Sequence, residues 1–339
     1  MMRLLLSFAL ILHRRRCKIR SNPVVFVDMK KTTSPERGLV LDIDRFATHD
    51  GPGIRTAVFL KGCSLRCAWC HSPESQCTSP ELIYMENRCT ACGLCLAACP
   101  QAALQPVEDG AGLCRVALNR AICDQCAACV EVCYPGALKL AGQWWDADAL
   151  AREVARDAPF FEASGGGVTL SGGEASQQGE FAVAFLTACR GMGLPTAIET
   201  NGFAPWPVFE RLAQVTDLFL FDLKLMDDRA HRKWTGASNR TSQSNLRRLA
   251  GRSAKVIPRV PCIPGINDDA INIEETARFV RGLGLNEIHL LAYNAAAPAK
   301  YAWLGRPYTL EVRSTQDAGK MDSLAQICRS YDLQVQVVR

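Results

Sequence analysis

Eleven of the 17 cysteines in this chain fall into three groups with single-figure gaps. Such spacing suits thiolates gathered on metal, not a disulfide framework. The groups are Cys63-x3-Cys67-x2-Cys70, Cys89-x2-Cys92-x2-Cys95-x3-Cys99-Pro100 and Cys123-x2-Cys126-x2-Cys129-x3-Cys133-Tyr134-Pro135. The last two match the bacterial ferredoxin run, whose fourth cysteine ligates the other cluster. By that rule Cys89, Cys92, Cys95 and Cys133 serve one cubane, and Cys123, Cys126, Cys129 and Cys99 the other. Clusters ligated this fully have no open iron, so relay or scaffolding is their expected work; two structural zincs are the competing reading. The first group can hold three irons of a cubane and leave the fourth without a protein ligand, the open position that catalytic metals keep. Its competitor is a zinc knuckle completed by His71 or Cys77. Cys17, Cys77, Cys114, Cys189, Cys262 and Cys328 receive no role, and Cys189 and Cys262 read as buried small hydrophobes. So much thiol chemistry points to a reducing cytoplasm.

The chain has 339 residues, 48% of them hydrophobic, enough for one large α/β domain and a small module and too apolar for a disordered chain. Net charge is 39 − 34 = +5. Residues 1–37 carry nine basic against two acidic residues, a net of +7, so the body is 30 − 32 = −2. A nucleic-acid binder needs its basic excess on the folded body, and this chain lacks it. The run Leu4 to Leu12 falls far short of the roughly 20 residues of a membrane helix. Arg14-Arg15-Arg16 follows that run, whereas a secretory signal carries its charge in front. Residues 1–37 therefore read as a basic extension: an upstream start ahead of a real one at Met29, a floppy arm, or a targeting segment. No membrane and no nucleic acid are expected as partners.

From Gly38 the chain alternates strand-like and helical patterns. Apolar runs are Val40–Ile43, Thr56–Leu60, Val168–Leu170, Thr196–Ile198, Leu218–Phe221, Val256–Val260 and Ile288–Leu291. Between the later ones, Leu150/Val154, Phe181/Phe185/Cys189 and Ile273/Ala277/Val280 recur at helical spacing. Strand-then-helix repeated about six times predicts parallel strands with helices outside. Periodicity leaves open whether the sheet closes. Residues 78–142 hold both four-cysteine runs and few long apolar runs, and read as an inserted module.

The cysteine loop also carries a family signature. Cys-x3-Cys-x2-Cys with an aromatic, here Trp69, before the last cysteine resembles the radical S-adenosylmethionine (SAM) enzymes. The flanking Asp50-Gly51-Pro52-Gly53-Ile54-Arg55-Thr56 and Trp69-Cys70-His71-Ser72-Pro73-Glu74 look like activating enzymes of glycyl radical enzymes, in the subgroup with a two-cluster ferredoxin insert. The likeness runs from about Leu39 to Tyr308. It implies an α/β fold: a partial (β/α)6 TIM-type barrel from residues 38–77 and 143–339, with a ferredoxin-like module of two [4Fe–4S] clusters at 78–142. The cofactors implied are S-adenosyl-L-methionine and three [4Fe–4S] clusters.

Ser171-Gly172-Gly173-Glu174 follows a strand; glycine lets backbone approach a ligand closely, and the carboxylate can accept from an ammonium. By resemblance this segment binds the amino group of the SAM methionine moiety; by itself it also reads as a tight turn. Glu199-Thr200-Asn201-Gly202 and Asp222-Leu223-Lys224 close the next two strands, where sites on parallel sheets gather. The resemblance puts Glu199, Asp222 and Lys224 around the ribose and carboxylate, with a monovalent cation nearby in some members; strand-end solvation is the plain alternative. Arg259 to Asp268 matches the segment that packs on adenine, largely through backbone and apolar contact. Three residues depart from the family pattern. Ala175 replaces a usual proline, Glu199-Thr200-Asn201-Gly202 stands where many relatives have Asp-Thr-Cys-Gly, and Asn294 stands where many have histidine. These lean towards activases of the arylsuccinate-synthase type.

The implied reaction begins with SAM chelating the open iron on Cys63, Cys67 and Cys70. One electron from an external flavodoxin or ferredoxin, routed through the inserted clusters, cleaves a sulfur–carbon bond. The radical formed removes an α-hydrogen from a glycine of a partner glycyl radical enzyme (a lyase, dehydratase, decarboxylase or arylsuccinate synthase), with Asp50 where relatives touch the target peptide. The rivals are a radical SAM enzyme acting on a small molecule, and an electron-transfer iron–sulfur protein. Glu174 and the three-cysteine loop argue against the latter.

Overall fold

The computed structural model describes residues 37–108, 114–252, 255–312 and 314–338. Apart from Arg37, the basic extension with its Leu4–Leu12 run, Cys17 and Met29 lies outside the described residues.

Nine strands build the main sheet: β1 (Arg37–Ala47), β2 (Arg55–Leu60), β3 (Gln143–Asp146), β4 (Gly167–Gly172), β5 (Thr196–Thr200), β6 (Leu218–Asp222), β7 (Lys255–Pro261), β8 (Glu287–Leu291) and β9 (Gln334–Val338). Their order is β9-β8-β7-β6-β5-β4-β2-β1-β3. Neighbours from β2 to β9 run parallel. The first apolar run, read as one of the parallel strands, instead sits in β1, which is antiparallel to β2 and pairs antiparallel with β3. Residues 48–54, which join β1 to β2, are too few for the crossover of a dozen or more residues that a parallel pair needs. β3 and β9 close the two edges and carry no long apolar run.

Side chains on a strand alternate between faces. Val58, Leu60, Val168, Leu170, Ile198, Phe219, Phe221, Val256 and Val260 enter the large core with helix residues. Those helix residues include Leu150 of α1 (Ala147–Val154), Phe181 and Phe185 of α2 (Gly179–Gly191), Ile273 of α3 (Ala270–Gly282) and Met321 of α4 (Ala318–Arg329). The opposite parity gives a second, small cluster of Ala197, Leu218, Leu220 and Ile257. Both faces are thus covered, which explains why these strands read as continuous apolar runs. Asp146, Asp269 and Asp317 start α1, α3 and α4 by accepting from backbone N–H groups three residues on. Cys189, Cys262 and Cys328 are buried in the core, and burial pushes the Cys189 and Cys262 thiols up to about 12.

Tyr84–Lys139 separates as a compact unit of its own. It holds a hairpin, Leu104–Glu108 with Cys114–Leu118, and two short helices, Leu94–Ala98 and Ala128–Glu131. Each helix follows a residue with positive φ, Gly93 or Ala127, and each begins two residues after a cysteine, so the two runs adopt equivalent turns. Among the described residues, no helix is long and apolar enough to cross a membrane.

Phe185 is fully buried between sheet and helices. Phe185→Ala should lower unfolding free energy by about 3–5 kcal/mol in anaerobic denaturant titrations.

Candidate active site

The loop after β2 is held by backbone bonds from distant segments. Gly62 N–H donates to Ser75 C=O at 2.7 Å, Arg66 N–H to Thr235 C=O at 2.7 Å, and Ala68 N–H to Trp234 C=O at 2.9 Å. Buried Lys61 caps it from below, its Nζ donating to Glu74 C=O at 2.5 Å and pairing with Glu81 at 3.2 Å. Trp69 packs with Leu225, Ile263, Tyr293 and Leu310, and Leu65 with Phe203 and Ala237 against Cys63 and Cys67. The three thiols of this loop are thereby brought to one cavity. Burial pushes Cys63, Cys67 and Cys70 upward, Cys67 to about 11, so each stays a neutral thiol until a cationic centre displaces its proton. Of the two residues considered for a zinc knuckle, His71 lines the cavity and Cys77 accepts a bond from Arg306 Nη2 at 3.5 Å.

The cavity measures about 700 Å³ and lies at the carboxyl ends of the parallel strands. Trp69, Gly172, Gly173 and Glu174 line it, as do Glu199, Asp222 and Lys224 from the ends of β5 and β6. Asp50 and Asn294 line it too. Every site residue expected from the sequence outside the small unit therefore reaches one space. The strand parity that places Leu218, Leu220 and Ile257 inside continues to Asp222 and Arg259.

The two glycines of this turn also serve the chain's own packing. A Cβ on Gly172 would stand 2.3 Å from Leu60 N, and one on Gly173 2.3 Å from Gly62 O. Their lack of side chains lets the turn lie directly against the end of β2 and the start of the cysteine loop. Glu174 is buried and accepts from Thr200 Oγ1, Asn201 N and Ser176 Oγ at 2.7 Å each, and from Ser176 N at 3.1 Å. Burial raises its pKa against these donors. Oε2 takes only one bond and keeps acceptor capacity for an ammonium.

Charges cluster behind this turn. Lys224 Nζ donates to Asp222 Oδ2 at 2.9 Å; burial opposes its charge, but Asp222 and Cys67 outweigh that and raise its pKa. Glu199 accepts from Ser171 Oγ at 2.5 Å and stands 3.3 Å from Arg259 Nη1. That ion pair is off-axis: Arg259 Nε and Nη1 and Asp222 Oδ1 are buried without a hydrogen-bond partner. Orphaned donors and an orphaned acceptor beside three thiols fit a ligand rich in hydroxyl, carboxylate and ammonium groups, as SAM is. Sequence reading treated Arg259 as backbone lining; its parity on β7 was the available signal. Burial and then Glu199 push Asp50 up to about 6, against the pull of Arg259. Asn294 turns its Oδ1 to Ala296 N at 2.9 Å.

In the small unit a second cavity is lined by Cys89, Cys92, Cys95 and Cys133. Burial first, then Cys133, Cys89 and Cys92, raises the Cys95 thiol. Cys129 is pushed up to about 11 by burial and then by Cys123, Cys99 and Cys126. Each fourth cysteine thus neighbours the other run, and the two match in detail: Cys99 Sγ accepts from Ala103 N at 3.2 Å and Cys133 Sγ from Leu138 N at 3.3 Å. Among the described residues, no three His, Cys, Asp or Glu side chains are drawn up around a single ion's position.

Two family models match this chain: the radical SAM superfamily over residues 129–280 and the 4Fe-4S binding domain over residues 82–105. The chain is 37% identical to the (2S)-3-sulfopropanediol dehydratase activating enzyme of Klebsiella oxytoca, across 81% of this chain and 87% of that protein. It is 40% identical to the isethionate sulfite-lyase activating enzyme of Oleidesulfovibrio alaskensis, across 82% and 89%. With the benzylsuccinate synthase activating enzyme of Thauera aromatica it shares 35% identity across 88% and 92%. Fold and matches together make this a radical SAM enzyme. Within that class the chain belongs to the activating enzymes of glycyl radical enzymes, which generate a radical on a partner protein.

Asp50 gives a pH-dependent prediction. An acid raised from 3.8 to about 6 stabilises the fold fully below its unfolded pKa, and that contribution is lost as pH rises through about 6. Asp50→Asn should flatten the fall in stability between pH 4 and 6 and leave the variant more stable than its parent above pH 6, read by denaturant titrations across that range.

Proposed function

We propose that Cys63, Cys67 and Cys70 hold a [4Fe–4S] cluster with one open iron and that the target is a glycine of a partner glycyl radical enzyme. The carrying observation is convergence: three thiols, the Gly-Gly-Glu turn and the unpartnered atoms of Asp222 and Arg259 meet in one cavity. When bound, SAM and the reduced cluster supply a radical strong enough to take an α-hydrogen. The chain's own residues hold and orient. Glu174 and the backbone beside it receive the ammonium; Lys224 and Arg259 offer positive charge to a carboxylate; Asp222 Oδ1 accepts from a hydroxyl; Trp69 walls the space. Asp50, half-buried in the cavity wall, is poised to accept from the backbone of an entering peptide.

A partial (β/α)6 barrel is the architecture this reading favours. It is supported by the six parallel strands β2 and β4 to β8 with inward-facing Ala197, Leu218, Leu220 and Ile257 beneath the polar ring. In the small unit, the sets Cys89/Cys92/Cys95/Cys133 and Cys123/Cys126/Cys129/Cys99 would hold two further clusters that pass electrons from a flavodoxin or ferredoxin in the cytoplasm. The reading requires no monovalent cation at Glu199, because Arg259 already stands beside that carboxylate.

Anaerobically reconstituted protein, reduced with SAM present, should release 5′-deoxyadenosine and raise a glycyl radical signal in the partner by electron paramagnetic resonance (EPR). Cys67→Ala should abolish both and remove about one cluster's iron, four atoms in a cubane. Cys92→Ala or Cys126→Ala should lose iron from the small unit yet keep some cleavage with an artificial reductant. Release of 5′-deoxyadenosine with no protein radical on any glycyl radical enzyme tested would transfer the assignment to a small-molecule substrate.

A further inference from the structure

We propose that the side-chain amide of Asn201 donates a hydrogen bond to the Cys63 sulfur and thereby sets the reduction potential of the cluster on Cys63, Cys67 and Cys70. The inference deepens the cluster assignment above and rests on it.

Asn201 Nδ2 lies 3.7 Å from Cys63 Sγ. Which end of the amide faces the sulfur is fixed by its other contact: Oδ1 accepts from Phe203 N at 2.9 Å, so the remaining NH2 group points at Cys63. The asparagine itself is only 7% exposed and has no latitude to swing away. Its N–H is held by Glu174 Oε2 at 2.7 Å, and the next residue, Gly202, donates to Thr200 Oγ1 at 3.0 Å. Asn245 Nδ2 grips both Gly202 C=O and Ala204 C=O at 2.8 Å. Gly202 has φ +71°, and a Cβ there would stand 2.0 Å from the Phe221 ring, so the turn is specific to glycine. Phe203, one residue on, packs with Leu65 beside Cys63 and Cys67.

The donor is thus carried by a rigid strand-end turn and aimed at a ligand atom in a buried site. An N–H dipole aimed at a cluster sulfur stabilises the reduced state more than the oxidised one, because the reduced cluster carries one more negative charge. Hydrogen bonds to the sulfurs are among the levers that set iron–sulfur potentials. A low local dielectric strengthens the effect. Asn201 touches neither SAM groups nor reacting atoms on this reading; it is a positioning residue that acts through Cys63. It is also where the sequence departs from the Asp-Thr-Cys-Gly pattern, and an amide N–H is a stronger donor than a thiol. Glu174 joins the same device, since its carboxylate holds the turn that aims the amide.

The test compares parent, Asn201→Asp and Asn201→Ala, each reconstituted anaerobically with iron and sulfide counted. The relevant cluster is the one whose EPR signal changes on adding SAM, and its midpoint potential is read by EPR-monitored redox titration. Asn201→Asp keeps an acceptor for Phe203 N and puts a carboxylate oxygen towards the sulfur; Asn201→Ala removes the donor together with the acceptor for Phe203 N. Both should shift the midpoint to more negative values, Asp further than Ala, with iron content and the SAM-induced change retained. An unshifted midpoint in either variant overturns the inference, and loss of this cluster's iron from both makes Asn201 structural and overturns it too. A parent protein with no SAM-responsive cluster signal would instead sink the cluster assignment itself, a distinct failure.

Discussion

Two backbone hydrogen bonds carry much of this molecule: Gly173 N–H to Leu60 C=O at 2.9 Å and Glu174 N–H to Gly62 C=O at 2.8 Å. They extend the β2–β4 ladder past the end of both strands, so the Gly-Gly-Glu turn and the first residues of the cysteine loop become one backbone surface. No side chain fits between them at Gly172 or Gly173. The carboxylate that follows is then delivered to the end of β5, where Thr200 and Asn201 receive it. Three sequence segments more than a hundred residues apart at their extremes are locked in register by bonds any residue pair could form, provided two positions lack a Cβ.

Charge placement follows from strand parity. Glu199, Asp222 and Arg259 occupy inward positions directly above the apolar cluster of Ala197, Leu218, Leu220 and Ile257. Below that level the interior pairs this apolar cluster with a buried Arg55 that donates to Thr169 Oγ1 at 2.6 Å; above it the same strands present buried ionic groups whose hydrogen bonding is incomplete. Leaving a buried donor or acceptor unmade costs about 1–3 kcal/mol. A fold that carries three such atoms around one cavity keeps them for something that enters it.

Much of this was legible in sequence because its causes are local. Thiol spacing within a loop, apolar runs of strands covered on both faces, and polar residues just after them are all short-range patterns. β1 was found but given the wrong direction, since direction depends on what the connection can span rather than on the strand's own residues. β9 escaped because Gln334 and Gln336 break its apolar run at the sheet edge. A second reason for Gly172 and Gly173 had no sequence signal: only the folded chain reveals that Leu60 and Gly62 leave no room for a Cβ there. Contacts such as Asn201 to Cys63, 138 residues apart, have no sequence signal at all.

The cysteine loop is anchored from both sides by distant parts of the chain. Lys300 reaches Glu74 at 2.8 Å, Arg306 donates to Pro73 C=O at 3.2 Å and pairs with Glu81, and Thr235 and Trp234 bind the loop's other flank. Small zinc domains collapse only around their ion, so metal loading and folding are a single event for them. Here contacts from three other parts of the chain hold both flanks of the loop, so its position depends on ordinary polypeptide packing as well as on its thiols.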